Sequence, residues 1–456
     1  MASSSNFSHT EALSSIPLSV EEVAPIIQKY SLLMGKVKFD AAREHIEAFK
    51  GKRNFIPSDV ESMAWLSILS VFAQFPQTER IYFSLNFLLP KAFFRKDNAL
   101  LTSYSQIKSE VQHTVEDLMS VPHPPLSLDL CQRIIDIIDC RLILINNYIA
   151  FTSNKLCSQQ EIGILIEGLN SVLKVIAPSR KHDCLSGMFE LIASEVTIIK
   201  SLLEVQNLLL RCEFLPSLIK LKNSREHLRK WFTIVDYAKI RSKSTSSFFH
   251  FPSSSKASTF QLFEWIERFY SFLLSKFSLY FHEWLTPQCS HADVKQAIGL
   301  LKSPNFLHIF SNFHRKSDAL FVSLVMSRIA SKAVSSRVGY GQEASETSSG
   351  ELREKYPLLY KSAADRKDFD LLHPTIASLI QSAANSSIQP ERIKYFFDQV
   401  LLKTFFIVLV EENIFMVVVF SRKIGEKDSS IVCFINESVS TLRCSKICLS
   451  LRGASK

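Results

Sequence analysis

The 456-residue chain is hydrophobic at 46% of its positions and charged at 21%, which excludes general disorder and predicts two or three folded domains. Glycine is scarce, with 11 residues, while phenylalanine appears 35 times, so the composition favours large-cored helices over glycine-rich phosphate loops. Lysine and arginine number 53 against 44 acidic residues, and the net charge of +9 is mild for this length, which argues against a dedicated nucleic-acid binder.

The N-terminal end, residues 1–16, is a serine-rich tail that is predicted to be disordered. Met1–Ser15 lacks the positive start and apolar run of a secretory signal peptide, so none is expected.

Residues 17–302 carry the patterns of a helical bundle. Ser19 with Glu22, and Ser58 with Glu61, form capping boxes that each precede an apolar stripe. We expect Pro76 to end the helix that begins after Ser58, because an interior proline removes a backbone donor. Longer helices are predicted from apolar periodicity or continuous hydrophobicity at Ile134–Tyr148, Phe189–Leu210 and Leu262–Trp284.

A serine-rich segment, residues 241–258, interrupts the bundle and is predicted to be a loop. Its serines lie beside lysines, so phosphorylation is one hypothesis for its role, and a solvated linker is the other.

The pattern of apolar runs in residues 303–456 predicts a smaller α/β domain. Strands are predicted at Leu320–Met326 and Thr375–Ile380, with a polar loop over 331–370 between them. Pro390 is expected to open a helix through Tyr395 and Phe396. A hairpin follows at Phe405–Val410 and Ile414–Phe420, and a last helix at Ser430–Leu442. The fold class is therefore mainly α, with an N-terminal multi-helix bundle and a C-terminal α/β domain, for which a roadblock- or longin-like sandwich is one option.

The most hydrophobic stretch, Thr404–Phe420, contains Glu411, Glu412 and Asn413 at its centre. Each apolar half is too short to span a bilayer, so no transmembrane segment is expected and the two glutamates are assigned to a hairpin tip. The nine cysteines are scattered without a CxxC pair, which predicts reduced thiols, and Cys444 and Cys448 are expected to face a core.

No catalytic, cofactor-binding or metal-ligating residue is predicted, and no small-molecule substrate is expected. His282, Cys289 and His291 lack a credible fourth zinc ligand. Asp136 and Asp139 lie three residues apart on the polar side of a buried helix, where solvent or an arginine is the expected neighbour.

The strongest electrostatic feature is Lys220–Lys243, where Lys222, Arg225 and Arg229 fall on one helical face near Trp231. This face is a candidate contact for a partner or an anionic surface, and a plain solvated face is the alternative. Aromatic residues do not interleave with the cations, so no direct nucleic-acid contact is expected.

Several sequence blocks resemble one family when they are taken together in chain order. They are FFRKDN (93–98), FLPSL (214–218), LLSKFSLYFHE (273–283), RKSDALFVSL (315–324) and FINE (434–437). The blocks, of which LLSKFSLYFHE is the most specific, resemble the KICSTOR subunit 2 family.

The resemblance implies a non-enzymatic scaffold in the KICSTOR complex, with kaptin among its partners and no cofactor. It also implies that the chain is cytoplasmic, reaches the cytosolic face of the lysosomal membrane through partners, and helps recruit the GATOR complex, which acts on Rag GTPases. The implied outcome is inhibition of mTOR complex 1 during amino-acid or glucose starvation. Two alternatives remain open: a basic helical adaptor that binds RNA or anionic membrane directly, and an enzyme of unrecognised type.

Overall fold

The computed structural model describes residues 20–51, 60–89, 99–120, 126–153, 156–177, 184–236, 260–287, 304–328, 348–363, 365–385 and 392–452. The N-terminal part of the described chain is helical, with elements α1 (Val20–Gly35), α2 (Phe39–Gly51), α3 (Val60–Phe83), α4 (Ala99–Met119), α5 (Leu126–Ser153), α6 (Gln159–Ile176), α7 (Ser186–Leu210), α8 (Phe214–Ile234), α9 (Gln261–Tyr280) and α10 (His282–Leu285).

The C-terminal part combines helices with one sheet. Its elements are α11 (Phe306–Ser317), β1 (Ala319–Met326), α12 (Ser348–Lys355), β2 (Leu358–Lys361), α13 (Lys367–Asn385), β3 (Lys394–Asp398), β4 (Lys403–Glu411), β5 (Ile414–Phe420), α14 (Ser429–Leu442) and α15 (Ser445–Leu449). The predicted fold class, mainly α with a C-terminal α/β domain, is confirmed. The finer assignment to a roadblock- or longin-like sandwich stays a prediction.

The expected end of a helix at Pro76 is wrong, because α3 continues through this proline to Phe83. Pro76 and its neighbour Phe75 are both buried. An interior proline costs a helix about 3 kcal/mol, and burial in the tertiary core offsets that cost here.

Helices α1 and α7 cross where two glycines meet. A β-carbon on Gly35 would lie 2.5 Å from the carbonyl oxygen of Gly187, and one on Gly187 would lie 2.6 Å from the carbonyl oxygen of Ser31. The Ser31 hydroxyl also accepts a hydrogen bond from the Met188 amide at 3.2 Å. The two backbones can approach this closely only because neither glycine carries a side chain.

Gly187→Ala is therefore expected to lower the free energy of unfolding by about 1 to 3 kcal/mol, since backbone must move to admit the methyl group. Gly163→Ala in α6 is the matched control, because open space surrounds that position and alanine favours a helix by about 1 kcal/mol. Urea unfolding of both variants checks the pair; equal stability of Gly187→Ala and wild type would contradict the close crossing.

The sheet is antiparallel throughout, with strand order β2-β1-β5-β4-β3. The predicted hairpin is confirmed as β4 and β5, in which Ile407 pairs with Val417. The predicted strand at Leu320–Met326 and helix at Ser430–Leu442 are confirmed as β1 and α14.

Two C-terminal predictions are wrong. Thr375–Ile380 lies in α13, where the buried Phe369, Leu372, Ile376 and Ile380 recur at helical steps of three and four. The helix expected after Pro390 through Tyr395 and Phe396 is instead strand β3, whose aromatic run pairs with β4.

The polar loop predicted over 331–370 also differs from the structure. Within it lie α12, β2 and the start of α13, so the loop prediction is wrong for residues 348–355, 358–361 and 367–370. Although α12 is strongly polar, the adjacent Tyr356 and the four residues of β2 are buried and complete the sheet.

Both faces of the sheet are covered, as the near-continuous apolar runs predict. Alternate residues of β5 serve two cores: Phe415, Val417 and Val419 pack with α13, whereas Met416 and Val418 join the main core of the helical part. The helices and one face of the sheet therefore share a single continuous core.

Several predictions fall outside the described residues: the tail at 1–16, the boundary at 302–303, the serine-rich segment 241–258, the cap residues Ser19 and Ser58, and the first part of the polar stretch. In the ranges that are described, no helix has both the length and the hydropathy needed to cross a membrane.

Candidate functional site

The three cations singled out from sequence lie together on the outer surface of α8. Lys222, Arg225 and Arg229 are all exposed, and none of them pairs with a carboxylate in the described part of the chain. Lys230 adds a fourth exposed cation, while Glu226 is the acidic residue on this stretch. The C-terminal half of α8 thus presents a surplus of positive charge to solvent.

The opposite face of α8 explains this orientation. Five residues at steps of three and four are buried against the rest of the bundle: Ser217, Leu221, Ser224, Leu228 and Trp231. Small serines allow close packing on α7, and the hydroxyls of Ser201 and Ser224 hydrogen-bond at 2.7 Å. Trp231, expected near the cations, is instead buried with the opposite face and cannot stack on a ligand at the basic surface.

The N-terminal half of the exposed α8 face is apolar. Leu215, Leu218 and Ile219 are exposed and precede the cations along the same side of the helix. We call these three residues with Lys222, Arg225 and Arg229 the α8 face. The apolar half was missed by sequence reasoning, although the FLPSL block contains two of its residues, because periodicity alone does not say which apolar positions remain uncovered.

A buried polar cluster joins the helices to the sheet. Lys276 of α9 and Glu411 at the end of β4 are fully buried and pair at 2.5 Å. The Glu411 carboxylate also accepts hydrogen bonds from the Tyr280 hydroxyl at 2.5 Å and from Gln206 Nε2 at 3.1 Å. The prediction that Glu411 and Glu412 lie at a hairpin tip is confirmed, and Glu412 is exposed there. The burial of Glu411 against the helices was not predicted.

The geometry of this cluster assigns every proton of the ammonium group. Lys276 Nζ donates to Glu411 Oε1, to Gln206 Oε1 at 3.0 Å and to the Leu442 carbonyl at 2.9 Å. No donor remains for a substrate, so the arrangement ties elements together. Next along the chain, Glu412 accepts from the amide and side chain of Gln159 at 2.8 and 2.9 Å, which adds a second link to the bundle.

A second buried cluster lies inside the bundle around Arg141 of α5. Its guanidinium donates to both oxygens of Glu79, at 2.8 and 2.7 Å, and to Glu195 at 2.7 Å. Tyr82 and Tyr148 donate to Glu195 and Tyr104 donates to Glu79, so both carboxylates are well partnered. No local sequence pattern predicts this cluster, because its residues are far apart in the chain.

Burial and charge act in opposite directions on Arg141. Burial alone would lower the pKa of its guanidinium, but the charges of Glu79 and Glu195 outweigh that effect and raise the pKa well above its usual value. Burial, followed by the charge of Glu195, raises the pKa of Tyr82 well above its ordinary range. These groups stay in one protonation state, which suits a structural role.

The paired carboxylates Asp136 and Asp139 have ordinary partners. Asp136 pairs with Arg133 at 3.2 Å, as expected, and Asp139 pairs with Lys108 of α4 at 2.6 Å. The first pair lies within α5, whereas the second joins α4 to α5 and is partly exposed.

The described cysteines are free thiols. Cys444 and Cys448 are buried, as predicted, and burial raises the pKa of the Cys444 thiol to about 12, which suppresses its reactivity. Across the described ranges, no group of three His, Cys, Asp or Glu side chains is placed to hold a metal ion. Cys289 and His291 lie outside those ranges.

A cavity of about 440 Å³ opens where α9, α11, α14 and α15 meet. Phe272, Phe306 and Phe434 line it, with Glu437 and Lys446 at its edge. These two charged residues pair with each other at 2.6 Å. Arg268, Ser438, Thr441 and Ser450 also line the cavity, so its wall is part apolar and part polar.

A family model and two related proteins all assign this chain to the same family. The family model described as "KICSTOR complex C12orf66 like" matches residues 15–456. The KICSTOR subunit 2 of Xenopus laevis is 26% identical over 446 residues, covering 94% of this chain and 97% of the relative. The KICSTOR subunit 2 of Danio rerio is 26% identical over 465 aligned positions, covering 96% and 99%. The chain therefore belongs to the KICSTOR complex C12orf66-like family.

Proposed function

We propose that the chain is a non-enzymatic scaffold subunit of the KICSTOR complex that helps recruit the GATOR complex to lysosomes. In this role it acts in the cytoplasm, at the cytosolic face of the lysosomal membrane, and lowers mTOR complex 1 signalling during amino-acid or glucose starvation. The observation that carries the proposal is the family match, which extends from residue 15 to the last residue, together with relatives named as KICSTOR subunits over nearly their whole length.

The architecture supports a scaffold in a second way. Both buried ionic clusters use their donors to hold elements together, and the sheet shares its core with the helices. A body built in this way holds its surface features at fixed positions relative to one another, which is what a subunit that bridges several partners requires.

Affinity purification of the tagged chain, with mass spectrometry, tests the proposal in fed and in starved cells. We expect kaptin and other KICSTOR subunits to co-purify under both conditions, with GATOR components bound through the assembled complex. Recovery of neither KICSTOR nor GATOR components would contradict the scaffold role.

The α8 face is the surface to which we assign a partner contact. Its three exposed aliphatic residues adjoin three cations, a combination that suits an acidic amphipathic segment of another protein. The apolar half would supply contact area, while the cations would steer and orient the partner.

Lys222→Glu/Arg225→Glu/Arg229→Glu is expected to reduce recovery of at least one KICSTOR partner by about tenfold, because three favourable charges become repulsive. Arg353→Glu/Lys355→Glu on α12 is the matched control, since it reverses exposed charges elsewhere. If both variants recover every partner as well as wild type does, the α8 face is not a partner contact.

The alternative function, a basic helical adaptor that binds RNA or anionic membrane directly, rests on the same cations. It predicts that the purified chain binds RNA or acidic liposomes with an affinity that falls as salt rises, and that the α8 charge reversals remove this binding. Absence of salt-dependent binding by the purified chain would eliminate it.

A further inference from the structure

The turn between β3 and β4 exposes a cluster of aliphatic side chains. Val400 is 89% exposed, Leu402 is 62% exposed and Leu401 is 39% exposed. We call residues 399–402 the β3–β4 turn. Three consecutive apolar residues at a turn contrast with the polar residues, glycine and proline that usually occupy such positions.

The shape of the turn is fixed by its own hydrogen bonds. Asp398 Oδ1 accepts from the amide of Val400 at 2.8 Å and from the amide of Leu401 at 2.9 Å. Leu402 then adopts a φ of 50°, a left-handed conformation that favours glycine or asparagine over leucine. A leucine that is both exposed and held in this conformation does not stabilise the turn. Its presence therefore indicates a role outside the fold.

The turn lies at the free end of the sheet. Strand β4 has nine residues, so about 27 Å separates its first residue, Lys403, from Glu411 at the other end. Glu411 and Glu412 at that other end are held by Lys276 and Gln159 of the helical part. One end of the hairpin is thus anchored in the bundle, and the β3–β4 turn projects from the opposite end.

Cations lie at the same end of the sheet as the turn, and one of them, Arg422, pairs with Asp318 at 3.9 Å. The antiparallel register brings the start of β1, the start of β4 and the end of β5 together, because Phe420 pairs with both Ala319 and Thr404. Thr404 Oγ1 also bonds to the Arg422 carbonyl at 2.7 Å and to the Ile424 amide at 3.1 Å. In the segments 314–318, 398–403 and 421–423, the acidic residues are Asp318 and Asp398, and the lysines and arginines are Arg315, Lys316, Lys403, Arg422 and Lys423.

We propose that the β3–β4 turn inserts into an anionic lipid bilayer. Aliphatic side chains at the tip enter the boundary between headgroups and acyl chains, and the cations at the base remain at the level of the anionic headgroups. The chemistry favours lipid over RNA, since Val400, Leu401 and Leu402 offer no aromatic ring for base stacking. Among the described strands β3 lies at the edge of the sheet, and a protein partner that added a strand would pair with that edge, whereas a bilayer needs only the tip and the charges.

Co-sedimentation of the purified full chain with vesicles tests this contact without any other KICSTOR subunit. Vesicles of phosphatidylcholine and phosphatidylserine in equal amounts are compared with vesicles of phosphatidylcholine alone. We expect binding to the anionic vesicles that weakens several-fold when salt is raised, because the cations are at the surface.

The double variant Val400→Ser/Leu402→Asn should bind anionic vesicles at least about tenfold more weakly, since it removes the two most exposed aliphatic groups. Asparagine suits the backbone of residue 402, so the thermal midpoint should not fall. Lys403→Gln/Lys423→Gln should weaken binding about fivefold per lysine. Leu371→Gln is the matched control, because Leu371 is 73% exposed and lies on a different element, α13.

The outcomes separate this contact from the proposed function. Vesicle binding that is lost in the turn variants and kept in Leu371→Gln supports insertion, whether or not KICSTOR subunits co-purify. No binding of wild type to anionic vesicles, or binding lost only in the α8 charge reversals, would overturn it. Two further results would overturn it in favour of a protein contact. In the first, the turn variants bind vesicles normally but lose a co-purifying protein. In the second, the wild-type chain self-associates and the turn variants do not.

Discussion

Lys276→Met is expected to lower the free energy of unfolding by about 3 to 5 kcal/mol, because the fully buried carboxylate of Glu411 loses its counter-charge. Gln206 and Tyr280 still donate to Glu411, but neither carries a positive charge. Urea unfolding monitored by circular dichroism measures the change. A loss of this size is a large fraction of the 5 to 15 kcal/mol that typically stabilises a domain.

The double variant Lys276→Met/Glu411→Gln isolates the uncompensated charge. It removes both charges while the new amide oxygen can still accept from Tyr280, so it should regain about half of the lost stability or more. Lys108→Met is the matched control: its pair with Asp139 is partly exposed, and we expect a change below about 1 kcal/mol. A double variant as unstable as Lys276→Met would show that packing, and not charge, dominates at this junction.

Arg141→Met is expected to destabilise the bundle by about 3 to 5 kcal/mol or more, since two buried carboxylates lose the guanidinium that joins them. The side chain also lies over the ring of Tyr82, 4.3 Å from its centroid, so a cation–π contact is lost as well. We expect this variant to lose its folded structure already at a low denaturant concentration. Near-ultraviolet circular dichroism measures that loss.

Arg43→Met provides the comparison for Arg141→Met. It makes the same substitution in an exposed ion pair with Glu47 on α2, where solvent screens the charges and we expect a far smaller change in the free energy of unfolding. If Arg141→Met changed stability no more than Arg43→Met did, the buried cluster would not stabilise the bundle in the way its geometry indicates.

The features that sequence predicts correctly are those that a local pattern specifies. The apolar run of Ile414–Phe420 follows a two-residue turn and pairs with β4, its neighbour in the chain. Likewise, Ile134–Tyr148 is apolar on nearly all sides and lies within the buried helix α5. In both cases the hydrophobic pattern and the adjacent residues are enough to predict the type of secondary structure and its burial.

The features that sequence misses depend on contacts between distant residues. Glu411 looks like part of a polar turn, and only the fold places Lys276 beside it, 135 positions earlier in the chain. Arg141 and Glu79 are 62 positions apart, and no local pattern pairs them. Thr375–Ile380 was mistaken for a strand because a short apolar run does not distinguish a strand from one face of a helix.

The candidate functional surfaces were also predicted only in part from local sequence patterns. Helical spacing correctly puts Lys222, Arg225 and Arg229 on one face, and the structure shows that this face is exposed. The exposure of the neighbouring Leu215 and Leu218, and of Val400 in the β3–β4 turn, was not predicted from sequence. Their exposure depends on which elements pack nearby, and the tertiary fold decides that.

We infer that the helices and the sheet form one rigid body, so that the α8 face and the β3–β4 turn are held in a fixed relation. Native-state hydrogen exchange at increasing denaturant measures this most directly, because it gives an opening free energy for each amide. We predict that protected amides of β4 and β5 open with the same free energy as those of α7 and α9, since they share one core. Exchange of β4 and β5 through an opening that leaves α7 and α9 protected would contradict the claim.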